Sequence, residues 1–442
     1  MINKGSHPSR AAGRVTDELA PRSGDATPKF KVWARSASVD VSPRHPAVLG
    51  ANGLPDLPVS VVADPIEANV LVLGQDKATL LLISFDLLYV GDRLRRAIES
   101  RLQGIIAPDR IFLAASHTHR GPMLDDGMPG LGSFSYTAFQ TVVEIIGDVI
   151  VQLLRTPARE VSVDVSYGDH SAGVNRRLRR FVTVNRSGVR FNTVSMAPNP
   201  SGPNDTSIRR LRFLDATGAP IAEIWSSALH PTAFPFRDRI SADFPGHVRR
   251  AIRSRTNAKL PVLFFQGFSG DIRPRTPTNG LGFRRLLQGR RFADFSLVEY
   301  DEWVSQLATD VLDARWKTLE GEGVASVRLP VDRDSFVIGG PPPVEGWLHA
   351  LRLGDLAILG VPSEVVTEYS SSLVPVPPIT DIWGVGCIDQ VWGYAPTEKM
   401  LAEGGYESRG FCPYFGVKSV SPRVERELRA NLRTMASLIA QS

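Results

Sequence analysis

Short apolar runs at residues 70–73 and 79–85 flank the turn-forming Gly74, Gln75, Asp76 and Lys77, a pattern that predicts a β-hairpin. Polar and apolar positions then recur at helical spacing over residues 92–102 and, for longer, over 136–154. Between them an apolar strand is expected at 111–115, followed by a Gly/Pro/Met loop over 121–132. Further strands are predicted near 161–167, 208–214, 222–227, 262–265 and 356–359, and helices near 244–255 and 297–319. A Pro/Gly-rich link covers 339–343. The last helix is expected over 422–440, with Ser421 as N-cap and Pro422 in its first turn. Strands and helices alternate without an internal repeat. The pattern therefore predicts an α/β (mixed α+β) domain with mixed sheets and flanking helices, over residues 29–442, after a disordered leader at 1–28.

The leader is rich in Ser, Arg, Gly, Asp and Pro and lacks the apolar core of a secretory signal, which gives a cytoplasmic expectation. The continuous apolar stretches, such as 78–88 and 356–361, are shorter than the roughly 20 residues of a membrane-spanning helix, so no transmembrane segment is expected. A net charge of +5 raises the question of nucleic acid, but no nucleic-acid-binding motif accompanies it. The basic runs 176–180 and 284–291 read as solvated loops, with an anionic substrate or peripheral membrane contact as the alternative. Two cysteines, Cys387 and Cys412, allow at most one bridge and no disulfide framework.

Chemistry concentrates where strands end. Ser116-His117-Thr118-His119 leaves the strand at 111–115 with two imidazoles two residues apart, able to address one site. His230-Pro231-Thr232 follows another apolar strand, and the proline fixes a turn there. Gly360-Val361-Pro362-Ser363-Glu364 brings a carboxylate to a third strand exit. Each feature alone also fits a packed histidine or a surface carboxylate.

In order, these motifs resemble the neutral, non-lysosomal ceramidase family. The resemblance runs through Ser116-His117-Thr118-His119, Gly121-Pro122, Val174-Asn175-Arg176 and His230-Pro231-Thr232. It continues through Ser241-Ala242-Asp243-Phe244-Pro245-Gly246, the stretch from Phe265 to Pro274, Gly360 to Glu364, and Gly393-Tyr394. It implies a single catalytic domain centred on one Zn2+ held by His117, His230, Glu364 and Tyr394, residue types that suit zinc. It also implies hydrolysis of an N-acyl amide by a metal-bound water. His119 would move the proton, and Arg176 and Tyr406 would donate to the developing oxyanion. Asp243 is expected to orient His230, while Asp86 and Asp271 end apolar strands and either face the site or cap a loop.

Two departures qualify the resemblance. The Ser-Asn step that a serine mechanism would use reads Gly267-Phe268 here, and Ser269 does not complete a G-x-S-x-G elbow. A secretion signal and the family's C-terminal β-sandwich are expected to be missing. The substrate is therefore a lipid or small-molecule N-acyl amide, with ceramide and sphingolipid metabolism as one case. The alternatives are a zinc hydrolase of another ester or small amide, or a non-catalytic binding protein retaining the ceramidase fold. Met123, Leu124, Met128 and Leu131 are expected to form an apolar wall beside His119.

Overall fold

The computed structural model describes residues 30–51, 53, 56–75, 78–185, 188–278, 291–313, 315–340 and 345–442. The leader, the turn residues Asp76 and Lys77, most of the basic run 284–291 and part of the link at 339–343 lie outside the described residues.

Along the chain come β1 (Lys31–Asp40), β2 (Glu67–Gln75), β3 (Ala78–Phe85), α1 (Gly91–Arg101), β4 (Ile111–Ala115) and α2 (Tyr136–Arg155). Next are β5 (Arg159–Asp169), the hairpin strands β6 (Gly173–Asn185) and β7 (Gly188–Asn199), β8 (Ser207–Asp215), β9 (Pro220–Ser227) and α3 (Asp243–Arg255). β10 (Val262–Gln266), β11 (Ile272–Pro274), α4 (Leu297–Leu312), β12 (Arg315–Thr318) and β13 (Val324–Val331) follow. The last part holds β14 (Val337–Ile338), β15 (Gly346–Leu353), β16 (Leu356–Gly360), β17 (Glu364–Val365), β18 (Asp381–Val385), β19 (Tyr394–Ala395), α5 (Glu398–Glu403), β20 (Ser419–Val420) and α6 (Val424–Gln441).

The expected hairpin is β2–β3, paired antiparallel up to Gln75 opposite Ala78. Both of its faces are apolar because both are covered. Leu71, Leu73, Leu80 and Leu82 point one way, into a core shared with Leu351, Leu356, Ile358 and Trp383 of a second sheet. Val70, Val72, Leu81, Ile83 and Phe85 point the other way, onto α1 and α2. The larger sheet has nine strands in the order β10-β9-β8-β5-β1-β2-β3-β4, with β12 also on β5. The smaller runs β13-β15-β16-β18, and α6 packs on its outer face through Leu428, Leu432, Met435 and Ile439. The layers are helices, sheet, sheet and helix, a mixed α+β architecture with parallel pairs at β3–β4, β9–β10 and β16–β18.

The larger sheet rolls on itself. Ser84 Oγ on β3 donates to Phe264 O (2.8 Å) and accepts from Phe264 N (3.1 Å) on β10. Asn69 Oδ1 on β2 accepts from Val262 N (3.1 Å). The C-terminal ends of β4, β9 and β10 are thereby drawn to one place.

Three expectations need correction. The predicted helix 297–319 stops at Leu312, and β12 takes the chain to the edge of β5, where Trp316 lies over the guanidinium groups of Arg210 (4.6 Å) and Arg212 (4.3 Å). Residues 176–180 form part of strand β6, with Arg176 and Arg177 buried. The last helix begins at Val424 and is preceded by a turn in which Val424 N donates to Ser421 O. Helix α2 is long and apolar enough by length and composition to cross a membrane. In the fold it is an amphipathic core helix, laying Ala138, Val142, Ile146 and Ile150 against the sheet. Cys387 and Cys412 are both buried free thiols.

Candidate metal centre

Three strand exits build the site. β4 ends at Ala115, and the chain leaves through His117, whose φ of +66° is left-handed. That conformation is uncommon for a residue with a Cβ, and it turns the chain so that the two rings of the pair meet edge to face, 5.0 Å apart. β9 ends at Ser227, and His230 follows it. β16 runs through Pro362 to Glu364, which stands opposite Tyr394 in the short parallel pairing of β17 with β19.

The three histidines converge. Nε2 of His230 lies 3.1 Å from Nε2 of His117 and 3.3 Å from Nε2 of His119. Each ring turns its Nδ1 toward a backbone carbonyl: Leu88 O for His117 (3.1 Å), Ala51 O for His119 (2.9 Å) and Ser269 O for His230 (3.5 Å). A carbonyl oxygen only accepts, so Nδ1 carries a proton in each ring, and Nε2 presents a lone pair wherever the ring is neutral. Three lone pairs aimed at one point are unfavourable unless a cation sits among them. Imidazoles held this way through Nδ1 are the arrangement that metal-ligating histidines adopt.

Glu364 supplies the charge for such a cation. Its Oε1 accepts from Tyr89 Oη at 2.5 Å. Its Oε2 is buried without a conventional hydrogen bond and faces Nε2 of His117 (3.4 Å) and of His230 (4.0 Å). Burial works to push this carboxyl up, but His117, Tyr394 and Tyr89 around it hold it down at about 2. Burial also disfavours charge on all three imidazoles. His119 is lowered to about 3 and His230 falls well below the usual range, further depressed by His117. His117 alone shifts upward, because Cys387 and Glu364 outweigh its burial. The site accommodates one positive charge beside Glu364, and these donors fit a metal ion.

Around this centre lies a cavity of about 260 Å³, reached by His119, His230, Arg176, Tyr394 and Tyr406. The Arg176 guanidinium donates to Tyr394 Oη (3.1 Å) and to Glu407 Oε1 (2.8 Å), and lies 5.6 Å from the ring centres of both Tyr394 and Tyr406. The four expected ligands, His117, His230, Glu364 and Tyr394, and the three expected catalytic residues, His119, Arg176 and Tyr406, thus gather at one place. The geometry groups His119 with His117 and His230, so it does not by itself divide ligands from proton carriers.

The expected roles of Asp243 and of the apolar loop fail on contact, while Asp86, Asp271 and Ser269 take the structural partners that the sequence reading allowed. Asp243 accepts from the backbone N–H groups of Ala233 (2.9 Å) and Phe234 (3.0 Å) and does not orient His230, whose Nδ1 faces Ser269 O. Asp86 is taken by Arg249 (2.6 Å). Asp271 ties Thr367 N (2.8 Å) and Asn175 Nδ2 (2.7 Å), holding the strand that carries Arg176. The Ser269 hydroxyl is engaged by Gln266 Nε2. Met123, Leu124 and Met128 are buried in the packing between sheets and helices and do not line the cavity.

Three contributors escaped the sequence reading. Tyr89 follows an apolar strand and looks like core until Glu364, far along the chain, meets it. Glu407, next to Tyr406, clamps Arg176 and Arg177 (2.6 Å) together. Arg273 was legible only as part of a motif, not as a cavity residue.

No protein-family model matches the sequence. The structure is similar to the crystal structure of neutral ceramidase from Pseudomonas aeruginosa, with a TM-score of 0.68 and 15% identity over 93% of this chain and 74% of that one. It is likewise similar to a ceramidase complexed with C2, with a TM-score of 0.70 and 15% identity over 93% of this chain and 75% of that one. The fold is ceramidase-like. At this identity the likeness concerns the fold, and the chemistry has to be argued from the side chains.

Proposed function

We propose that this protein is a zinc-dependent amidohydrolase that cleaves an N-acyl amide of ceramide-like type. The observation that carries the reading is the convergence of the three histidine Nε2 atoms, each ring fixed by a carbonyl at Nδ1, beside the buried Oε2 of Glu364. Zinc is the ion that neutral imidazole and carboxylate donors suit, with His117, His230 and Glu364 holding it and Tyr394 completing the set. When bound, it supplies Lewis acidity at a substrate carbonyl and makes water acidic near neutral pH.

The protein's own groups do the rest. His119, the partly exposed imidazole of the three, reaches the cavity and carries a proton toward the leaving amine. Arg176 and Tyr406 donate hydrogen bonds where negative charge develops on the carbonyl oxygen, and Glu407 holds Arg176 in place for this. A water-derived nucleophile is favoured over Ser269, whose hydroxyl is already engaged by Gln266.

Turnover of an N-acyl amide panel by zinc-loaded protein tests the proposal. Release of free amine that chelation abolishes and added zinc restores is expected. A metal-loaded protein that instead cleaves esters but no amide would replace this reading with that of an esterase on the same centre.

A further inference from the structure

The rest of the cavity lining is unusual for a site that takes a neutral lipid amide. It includes Arg120, Arg237 and Arg273 with Thr232 and Met196, and Arg176 adds a fourth guanidinium. Asp294 is the acidic residue of this lining, and it pairs with Arg237 at 3.0 Å. Glu407, behind the cavity, pairs with Arg176.

Arg120 and Arg273 are different. Arg120 is buried and spends its donors on the carbonyls of Phe236 (2.8 Å), His119 (2.9 Å) and Phe234 (3.2 Å), with Asp243 and Asp294 near enough to favour its charge but not to pair with it directly. Arg273 lies over the Phe292 ring (5.0 Å) with one terminal nitrogen against Met196 Sδ (3.8 Å), and its buried Nε has no partner. Among the described residues no carboxylate lies within ion-pair distance of either. Burial, and then the neighbouring Arg176, lower the Arg273 pKa to about 10, with Arg237 and Arg120 adding to the effect and Asp294 opposing it.

We infer that the substrate carries its own carboxylate, which docks on Arg273 in the field of Arg120 while the amide carbonyl meets Arg176 and Tyr406. A planar guanidinium recognises a carboxylate through paired hydrogen bonds, and desolvated walls strengthen the pairing. The volume of about 260 Å³ suits a small N-acyl amino acid better than a long-chain neutral lipid. This inference rests on the amidohydrolase reading of the centre and replaces its ceramide-like substrate with an N-acyl amide that carries a carboxylate.

The test is a matched series on the zinc-loaded wild type: N-benzoylglycine, its neutral primary amide, and N-benzoylethylenediamine, whose free amine is cationic, scored at the benzoyl amide bond. The carboxylate compound is expected to have a kcat/KM at least about tenfold above the neutral one, with the cationic compound lowest. Arg273→Gln should raise KM for the carboxylate compound about 10- to 100-fold, at least about tenfold more than for the neutral compound, and change kcat little, with Arg273→Lys recovering part of the loss. Equal or better turnover of the neutral amide would overturn the inference while leaving the amidohydrolase intact. If no compound reacts, the N-acyl amide panel decides the amidohydrolase reading, and titration calorimetry decides the anion site alone. At least about tenfold tighter binding of N-benzoylglycine than of its amide, weakening with salt, supports the site, and equal binding overturns it.

Discussion

Tyr89 Oη donates to Glu364 Oε1 at 2.5 Å, and the Tyr89 ring lies 5.1 Å from that of His117. One phenol therefore fixes both the carboxylate and an imidazole of the candidate centre and leaves Oε2 of Glu364 to face the histidines. Tyr89→Phe keeps the ring and removes the hydroxyl. Zinc affinity is expected to fall about 10- to 100-fold with the fold intact, read by competition with a chromogenic chelator. Unchanged affinity would mean that Glu364 is oriented by its backbone alone.

His119→Ala separates metal binding from proton transfer. The account expects the variant to keep its zinc and lose roughly 10²- to 10⁴-fold in turnover. Loss of zinc instead would make His119 a ligand, as its 3.3 Å approach to His230 also permits, and would move the proton-carrying role to another group.

Glu407 is buried between Arg176 (2.8 Å) and Arg177 (2.6 Å). Glu407→Gln removes the carboxylate paired with buried Arg176 and leaves Arg177 only its longer contact to Glu403 (3.5 Å), a change that costs about 3–5 kcal/mol when one partner of a buried pair is removed. A lowered melting temperature is expected, with turnover reduced further than stability alone explains because Arg176 loses its support. An unchanged melting temperature would show that Tyr394 and the surrounding carbonyls suffice.

Acid sensitivity should trace to Glu67. Burial alone would raise its pKa, but Arg249, Arg253 and Ser38 hold it at about 2 against an ordinary 4.5. Because the folded value is the lower one, its contribution is fully present above about pH 4.5 and lost as the pH falls toward 2. Glu67→Gln should flatten the stability profile in that window, as measured by urea unfolding at stepped pH. A profile as steep as wild type would assign the acid transition to other carboxylates.

How far the sequence foretold this arrangement depended on the range of the interaction. β4, β10 and α2 were legible because continuous apolar runs and helical spacing are local signals. The motif residues His117, His119, His230 and Glu364 were legible because each follows such a strand. The hairpin β6–β7 was not, since Arg176 and Arg177 look like a solvated charge run until Glu407, 230 residues from Arg177, neutralises them. The end of α4 at Leu312 was hidden for a similar reason: Trp316 continues an apolar rhythm, and only the distant Arg210 and Arg212 draw it to a sheet edge. The expected role of Asp243 failed because a carboxylate close to a histidine in sequence found nearer backbone N–H donors.

The central claim is that the converging imidazoles and Glu364 hold a metal ion. Elemental analysis of protein purified without chelator and supplied with zinc, alongside His230→Ala and Glu364→Gln, tests it most directly. The account predicts about one zinc per wild-type chain and an emptied site in both folded variants, since each removes one of few ligands. A wild type that stays metal-free, or variants that hold zinc as well as it does, would contradict the account.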